Sequence, residues 1–258
     1  MVILRLPRMM EQSWRRECCE LMDQPVDEES KISLSFPRSQ CPDCGAAIYP
    51  RHNIPVLSWL WLRGRCHHCH AQISIRYPVV ELITGLLSAA AAWHFGFGFE
   101  GASALVLTWM LVALTGIDLD TQLLPDTMTL PLLWMGLGVN LFGIWTTLSS
   151  AVLGAMLGYG SLWSVYWLFK LATGKEGMGY GDFKLLAALG AWFGWQAVPQ
   201  MILLSSFVGA ALGIAILAAR RQGRDTPMPF GPYLAGAGLL TLFFGDALLT
   251  DFLSMVTL

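Results

Sequence analysis

From Tyr77 onward the chain is a succession of long apolar runs broken by short polar stretches, at about 78–97, 103–118, 127–146, 150–170, 182–195, 198–219 and 230–249. Each run is roughly 15 to 22 residues, about the length a helix needs to cross a bilayer at 1.5 Å per residue. The pattern predicts seven membrane helices. The fifth is the weakest of them, being short and carrying Lys184. Before Tyr77 the pattern changes to a polar segment rich in Pro, Arg and Cys, with only the short stretch Met1 to Leu6 apolar.

Composition supports the same division. Of 258 residues, 55% are hydrophobic and 13% charged, with a mean hydropathy of +0.53, whereas a soluble domain carries about 25% charged residues. An ordinary soluble enzyme is excluded, as is a disordered chain. The net charge of −2 gives no reason to expect a nucleic-acid partner.

The placement of charge orients the chain. Ten of the sixteen Lys and Arg residues precede Tyr77; Lys170, Lys175 and Lys184 form a second group, and Arg220, Arg221 and Arg224 a third. With the segment before Tyr77 in the cytoplasm, seven crossings place the connections near 118–127, 170–182 and 220–230 on that same side. Both later cation groups then fall inside, and the outside connections carry no Lys or Arg. Five or six crossings would strand one group on the wrong side. No cleavable signal peptide is predicted, because Met1 to Leu6 is too short for an apolar core and Pro7 ends it. The start Met-Val-Ile-Leu-Arg-Leu-Pro reads either as the last turn of an upstream apolar segment or as a short amphipathic beginning.

Four of the six cysteines stand in the polar segment as Cys41-Pro-Asp-Cys44 and Cys66-His-His-Cys69, with twenty-one residues between the pairs. Each C-x2-C turns two thiolates round one tight knuckle, and two knuckles close a tetrahedral four-sulfur shell suited to zinc. The competing reading is two disulfides, but a strongly basic segment beside the first span belongs in the cytoplasm, where thiols stay reduced. His67, His68 and His70 crowd the second knuckle and could replace a thiolate, although four cysteines already suffice. Cys18 and Cys19 lack a partner pair and read as ordinary thiols. A segment of about 60 residues has little core, so a metal there would supply much of its folding energy.

Catalytic chemistry is sought among carboxylates at the membrane, where an ionisable group is costly. Asp118 ends the second apolar run, at the negative end of a helix dipole, so capping does not explain it. Asp182 follows Gly-Met-Gly-Tyr-Gly (177–181) and would also serve as an N-cap. Asp126, after Pro125, has the same capping explanation; Asp120 falls on another side of a continued helix and reads as solvated; Glu81 suits a structural hydrogen bond. The predicted topology puts Asp118 and Asp182 on one boundary, one leaving the membrane and one entering it. Two carboxylates brought together share a proton, so one can act as base on a water while the other acts as acid, the arrangement for metal-free peptide hydrolysis. The glycines at 177, 179 and 181 would let the backbone bend around an extended substrate strand. Neither H-E-x-x-H nor a G-x-S-x-G elbow with a plausible base is present.

The two cysteine pairs, the run Gly116-Ile-Asp-Leu-Asp-Thr-Gln-Leu-Leu-Pro-Asp126 and Gly179-Tyr-Gly-Asp182 together resemble the bacterial prepilin peptidases, bifunctional leader peptidases and N-methyltransferases of type IV pilus and type II secretion systems. The likeness extends to Arg5-Leu-Pro and Tyr77-Pro-Val-Val-Glu-Leu. The G-x-G-D element alone is shared with presenilin-like and preflagellin peptidases; the four cysteines narrow it to the bacterial branch. The resemblance implies an all-α polytopic membrane protein with a small cytoplasmic zinc domain. It implies three segments: 1–14 as the remnant of an N-terminal membrane helix, 15–76 as the tetracysteine zinc domain and 77–258 as the peptidase domain. The catalytic aspartates would be Asp118 and Asp182, and the zinc ligands Cys41, Cys44, Cys66 and Cys69. The substrates would be pilin-like precursors, pilins or pseudopilins, with a basic leader and a hydrophobic helix. The methyl donor would be S-adenosylmethionine, although no Gly-rich nucleotide turn marks a site for it. The protein would cross the bacterial inner membrane several times, with both sites facing the cytoplasm. Such proteins usually carry an eighth helix at the N-terminus, ending in the I-x-R-L-P stretch with which this chain begins. Two readings of other classes stand beside this one: a transporter or proton relay, whose carboxylates should lie at mid-bilayer, and a membrane-anchored zinc adaptor whose aspartates only cap helices.

Overall fold

A computed structural model of the chain describes residues 2–25, 32–41, 43–49, 54–175, 177–220 and 229–256. Lys31, Arg51, Arg221 and Arg224, and most of the connection near 220–230, lie outside the described residues. Among the described residues the secondary structure is helical: α1 (Val2–Leu21), α2 (Leu57–Trp61), α3 (Arg76–Phe95), α4 (Phe99–Thr121), α5 (Asp126–Asn140), α6 (Leu148–Thr173), α7 (Tyr180–Phe193), α8 (Ala197–Arg220) and α9 (Gly231–Val256). Each of the seven apolar runs becomes one helix, α3 to α9. The chain divides into two compact units, Met1–Ala90 and Ala91–Leu258.

Among the described residues four helices are long and apolar enough to cross a membrane: α3, α4, α6 and the Ala197–Ala215 part of α8. The chain is a membrane protein. With 15 and 14 residues, α5 and α7 extend only about 22 and 21 Å, short of the roughly 30 Å hydrocarbon core. α7 is nonetheless the centre of the larger unit, packed by α5, α6 and α9. Asp182, Phe183 and every residue from Leu185 to Trp192 are buried. A helix enclosed by other helices is apolar because it is core, so its hydropathy does not report contact with lipid.

Close approach explains how α7 is enclosed. Gly154 of α6 and Gly190 of α7 face each other so tightly that a Cβ on either would collide with the other's carbonyl oxygen. On the α5 side, Trp192 lays its indole over Gly136 and donates its Nε1–H to the Leu132 carbonyl at 2.9 Å. The third apolar run stops being helical at Asn140 rather than continuing to residue 146. The cause is Asn140 itself, whose Oδ1 accepts the N–H groups of Trp145 and Thr146 and whose Nδ2 donates to the Ala191 and Trp192 carbonyls. This buried amide turns the chain back and ties the turn to the end of α7. Thr147 then caps α6 by accepting the Ser150 N–H.

The smaller unit is built differently. α1 continues through Pro7, at the loss of the hydrogen bond to the Ile3 carbonyl, and buries no residue. Its Arg5 donates to the carbonyls of Ser33, Leu34 and Pro37. The two cysteine knuckles follow, then the single turn α2 and the start of α3. Trp59 of α2 donates its Nε1–H to the Ile73 carbonyl at 3.1 Å and packs against Gly64. Among the described residues of this unit only Cys41, Gly64 and Pro78 are buried.

Candidate functional sites

Two constellations of reactive side chains form, one in each unit. In the larger unit Asp118 lies at the end of α4, 4% exposed, and Asp182 in the first turn of α7, 7% exposed. α4 stops three residues beyond Asp118, where Gln122 adopts a left-handed conformation and donates its N–H back to the Asp118 carbonyl. The loop runs through Leu124 to Pro125, whose fixed φ starts α5. α7 begins after Gly179, its N-cap residue, so Asp182 stands inside the first turn and is not the N-cap itself.

Asp118 is held by a residue that no local signal marks. Its Oδ2 accepts the N–H of Gly231, the first residue of α9, at 3.0 Å. A Cβ at 231 would stand 2.6 Å from that oxygen, so only glycine lets the α9 terminus close on the carboxylate. Leu124 packs against both Gly181, the residue before Asp182, and Gly231, which holds Asp118: a Cβ at Gly181 would meet its Cβ at 2.6 Å and one at Gly231 its Cδ1 at 3.2 Å. The end of α4, the following loop and the first turns of α7 and α9 thus converge. Asp118 is near enough for its charge to bear on Asp182. Both carboxylates are buried, Asp118 takes the Gly231 N–H, and neither is bonded to a described cation.

Asp126 and Glu81 have structural partners. Asp126 sits in the first turn of α5 behind its cap Pro125, and its carboxylate takes both bonds from Lys184 Nζ, at 2.6 and 2.7 Å. That pair satisfies the cation inside the α7 run and pins α5 to α7 two residues beyond Asp182. The signal was present in the sequence, since a lysine in an apolar helix needs a partner, but it does not say which. Asp120 is exposed. Glu81 accepts the Val56 N–H at 2.9 Å, the structural hydrogen bond expected of it. Tyr166, Tyr180 and Phe183 form a ring cluster with centroids 5.3 to 5.6 Å apart that seats the start of α7 on α6.

In the smaller unit Cys41, Cys44, Cys66 and Cys69 place their sulfurs within 4.8 Å of one another. All six cysteines are free thiols. Zinc–sulfur bonds of about 2.3 Å require sulfurs about 3.8 Å apart at the corners of a tetrahedron, and Cys41 Sγ to Cys69 Sγ is 3.7 Å. The two knuckles are copies of each other. The Gly45 and His70 N–H groups donate to the Cys41 and Cys66 carbonyls, and the Cys41 and Cys66 N–H groups to the Ala46 and Ala71 carbonyls. Flanking bridges pair Gln40 with Ala47 and Arg65 with Gln72. Gly45 and His70 both take positive φ, 68° and 59°.

The electrostatics of the cluster call for a cation. Backbone N–H groups of Cys69 and His68 hold the Cys66 thiol down to about 7. Cys69 receives the Ala71 N–H, which favours its thiolate, yet desolvation and the neighbouring Cys44, Cys66 and Cys41 sulfurs outweigh it and push it up to about 12. Four such sulfurs cannot all ionise together without an ion among them, so the donor set, spacing and charge fit a metal. His67 and His68 meet edge to face at 5.9 Å, outside the sulfur cluster. Cys18 and Cys19 lie apart from it on α1.

Comparison with known proteins gives consistent results for both units. Residues 1–95 match the bacterial peptidase A24 N-terminal domain and residues 105–214 the type IV leader peptidase family. A prepilin leader peptidase/N-methyltransferase of Stutzerimonas stutzeri is 53% identical over 258 residues, covering 100% of this chain and 89% of the relative. Proteins of the same name from Aeromonas hydrophila and Pseudomonas aeruginosa are 57% and 54% identical, covering 98% of this chain and 89% and 87% of themselves. No solved structure matches the chain.

Proposed function

The chain belongs to the type IV leader peptidase family, and we propose that Asp118 and Asp182 are the carboxylates with which it cleaves prepilins before methylating the new N-terminus. The observation that supports this assignment is the convergence of two buried carboxylates from α4 and α7, the first oriented by the Gly231 N–H and the two close enough for their charges to interact. In the reaction one carboxylate takes a proton from water as it attacks the scissile carbonyl. The other, protonated, gives its proton to the departing amine nitrogen, and the pair ends the cycle with its roles exchanged. The Gly231 N–H keeps Asp118 oriented. Leu124, packed against Gly181 and Gly231, supplies an apolar wall where the α7 and α9 starts meet.

In this reading the substrates are pilin-like precursors, pilins or pseudopilins, with a basic leader and a hydrophobic helix. The protein lies in the bacterial inner membrane with both sites facing the cytoplasm, and the chain divides into the entry segment 1–14, the metal segment 15–76 and the peptidase segment 77–258. Cys41, Cys44, Cys66 and Cys69 would hold zinc, whose chemistry here is structural: it neutralises four thiolates and closes the two knuckles. S-adenosylmethionine would supply the methyl group for the newly exposed amine. Neither the carboxylate pair nor the thiol cluster requires it.

The test is cleavage and N-terminal mass of a prepilin in detergent, comparing the parent with Asp118→Asn, Asp182→Asn and the double variant Cys66→Ser, Cys69→Ser. Loss of cleavage in each aspartate variant, with helicity and metal content retained, is the expected result. Asparagine variants that cut like the parent would sink the assignment and leave the zinc-adaptor reading. A product one methyl heavier only when the donor is added is expected of the parent.

A further inference from the structure

The short helix α2 exposes an apolar face that neither the carboxylate pair nor the thiol cluster uses. Leu57, Leu60 and Trp61 stand at i, i+3 and i+4, so they share one side of the turn, and they are 65%, 59% and 80% exposed. Trp59, pointing the other way, is the residue that fastens α2 to its own unit. Ile54, just before the helix, is also exposed. Exposure of this size on consecutive large side chains marks a contact surface.

What covers that surface follows from where α2 is tied. The Val56 N–H at its start donates to Glu81 Oε2 at 2.9 Å. Glu81 lies about 7.5 Å along α3 from Arg76 at 1.5 Å per residue, and α3 is a membrane-length helix with only 11% of its apolar window buried within the chain. Its side chains Leu82, Ile83 and Leu86 are about half exposed, the apolar surface that a membrane-crossing helix gives to lipid. A turn hydrogen-bonded to the second turn of such a helix cannot stand away from the bilayer; it is held at the interface. The exposed Arg63 and Arg65 directly after α2 supply the cations that suit a phosphate layer, and Trp61 is the side chain that interfaces favour.

We propose that α2 lies in the membrane interface, with Leu57, Leu60 and Trp61 inserted among the lipid acyl chains and Arg63 and Arg65 at the phosphates. The metal-binding unit is thereby seated on the bilayer surface by its own contact, in addition to its covalent continuation into α3. This does not depend on the peptidase assignment, and its test does not read activity.

The photoreactive amino acid p-benzoylphenylalanine, which inserts into nearby C–H bonds, is placed at position 61 or 57 of the full chain in phospholipid vesicles containing phosphatidylglycerol. The same group at Leu86 on α3 serves as the lipid-facing reference, and at Asp43 as the water-facing one. After illumination, intact mass is expected to rise by one phospholipid at 61, 57 and 86 and not at 43. Adducts between two copies of the chain at 61 or 57 would instead identify a self-association face and overturn the proposal. So would no lipid adduct at either position while Leu86 gives one.

Discussion

The two units hold their reactive groups by opposite means. In Ala91–Leu258 the aspartates are positioned by packing: Leu107, Leu111, Leu114, Ile117, Leu185, Leu186 and Leu189 are fully buried, and the carboxylates sit at the ends of helices which that core makes rigid. In Met1–Ala90 only Cys41, Gly64 and Pro78 are buried among the described residues, and the first of these is itself a member of the thiol cluster. One unit would keep its shape with its reactive groups neutralised. The other has almost no apolar interior to fall back on, so its reactive groups and its fold are the same thing.

The largest separation between the units should come from metal removal. Zinc binding in small domains is worth about 10–16 kcal/mol, so a strong chelator, or Cys66→Ser with Cys69→Ser, is expected to unfold the smaller unit. Proteolysis should then cut readily between residues 32 and 75 while α4 to α9 stay intact. Equal loss of both units on chelation would break the comparison. The converse substitutions, Asp118→Asn and Asp182→Asn, are expected to lower cleavage roughly 10²–10⁴-fold, the range for losing a general acid or base. They should leave metal content and helicity at parent values, read by metal analysis and circular dichroism.

Smaller changes probe how each site is supported. Gly231→Ala brings a methyl group to 2.6 Å from Asp118 Oδ2 and must displace the carboxylate. Because a shift of about 1 Å in a reacting group can cost roughly a hundredfold, kcat is expected to fall by about that much with little change in thermal stability. Gly190→Ala should do the reverse: it pushes α7 from α6 at the cost of about 1–3 kcal/mol, visible as a lower melting temperature in detergent, with cleavage reduced only as far as Asp182 moves with its helix. In the smaller unit, His70→Gly relieves a left-handed residue where the matching knuckle already has Gly45. The gain, after glycine's own entropy cost, is about 0.5–1 kcal/mol. It is expected as greater resistance of the unit to chelator, with no effect on cleavage.

Much of this was legible in one dimension. Seven apolar runs became seven helices, and the two C-x2-C pairs came together as spaced. Both signals are carried by consecutive residues. The third run is apolar to residue 146 but helical only to Asn140, because hydropathy does not register that Asn140 can satisfy four backbone groups by turning the chain. The burial of α7 was likewise hidden, since an apolar stretch reads alike whether it faces lipid or other helices. Asp126 illustrates the same limit: its place after Pro125 suggested a cap, whereas its partner is Lys184, in another helix.

By itself the sequence determined the class of the protein, the number of apolar helices and the thiol cluster, because helix length, hydropathy and ligand spacing are properties of neighbouring residues. Only the tertiary structure decided that the ends of α4 and α7 converge, that Gly231 orients Asp118, that Leu124 packs against both Gly181 and Gly231, and that α7 is core. Those relations are contacts between helices distant in the chain, selected by which small residues permit close approach and which buried polar groups must find a partner.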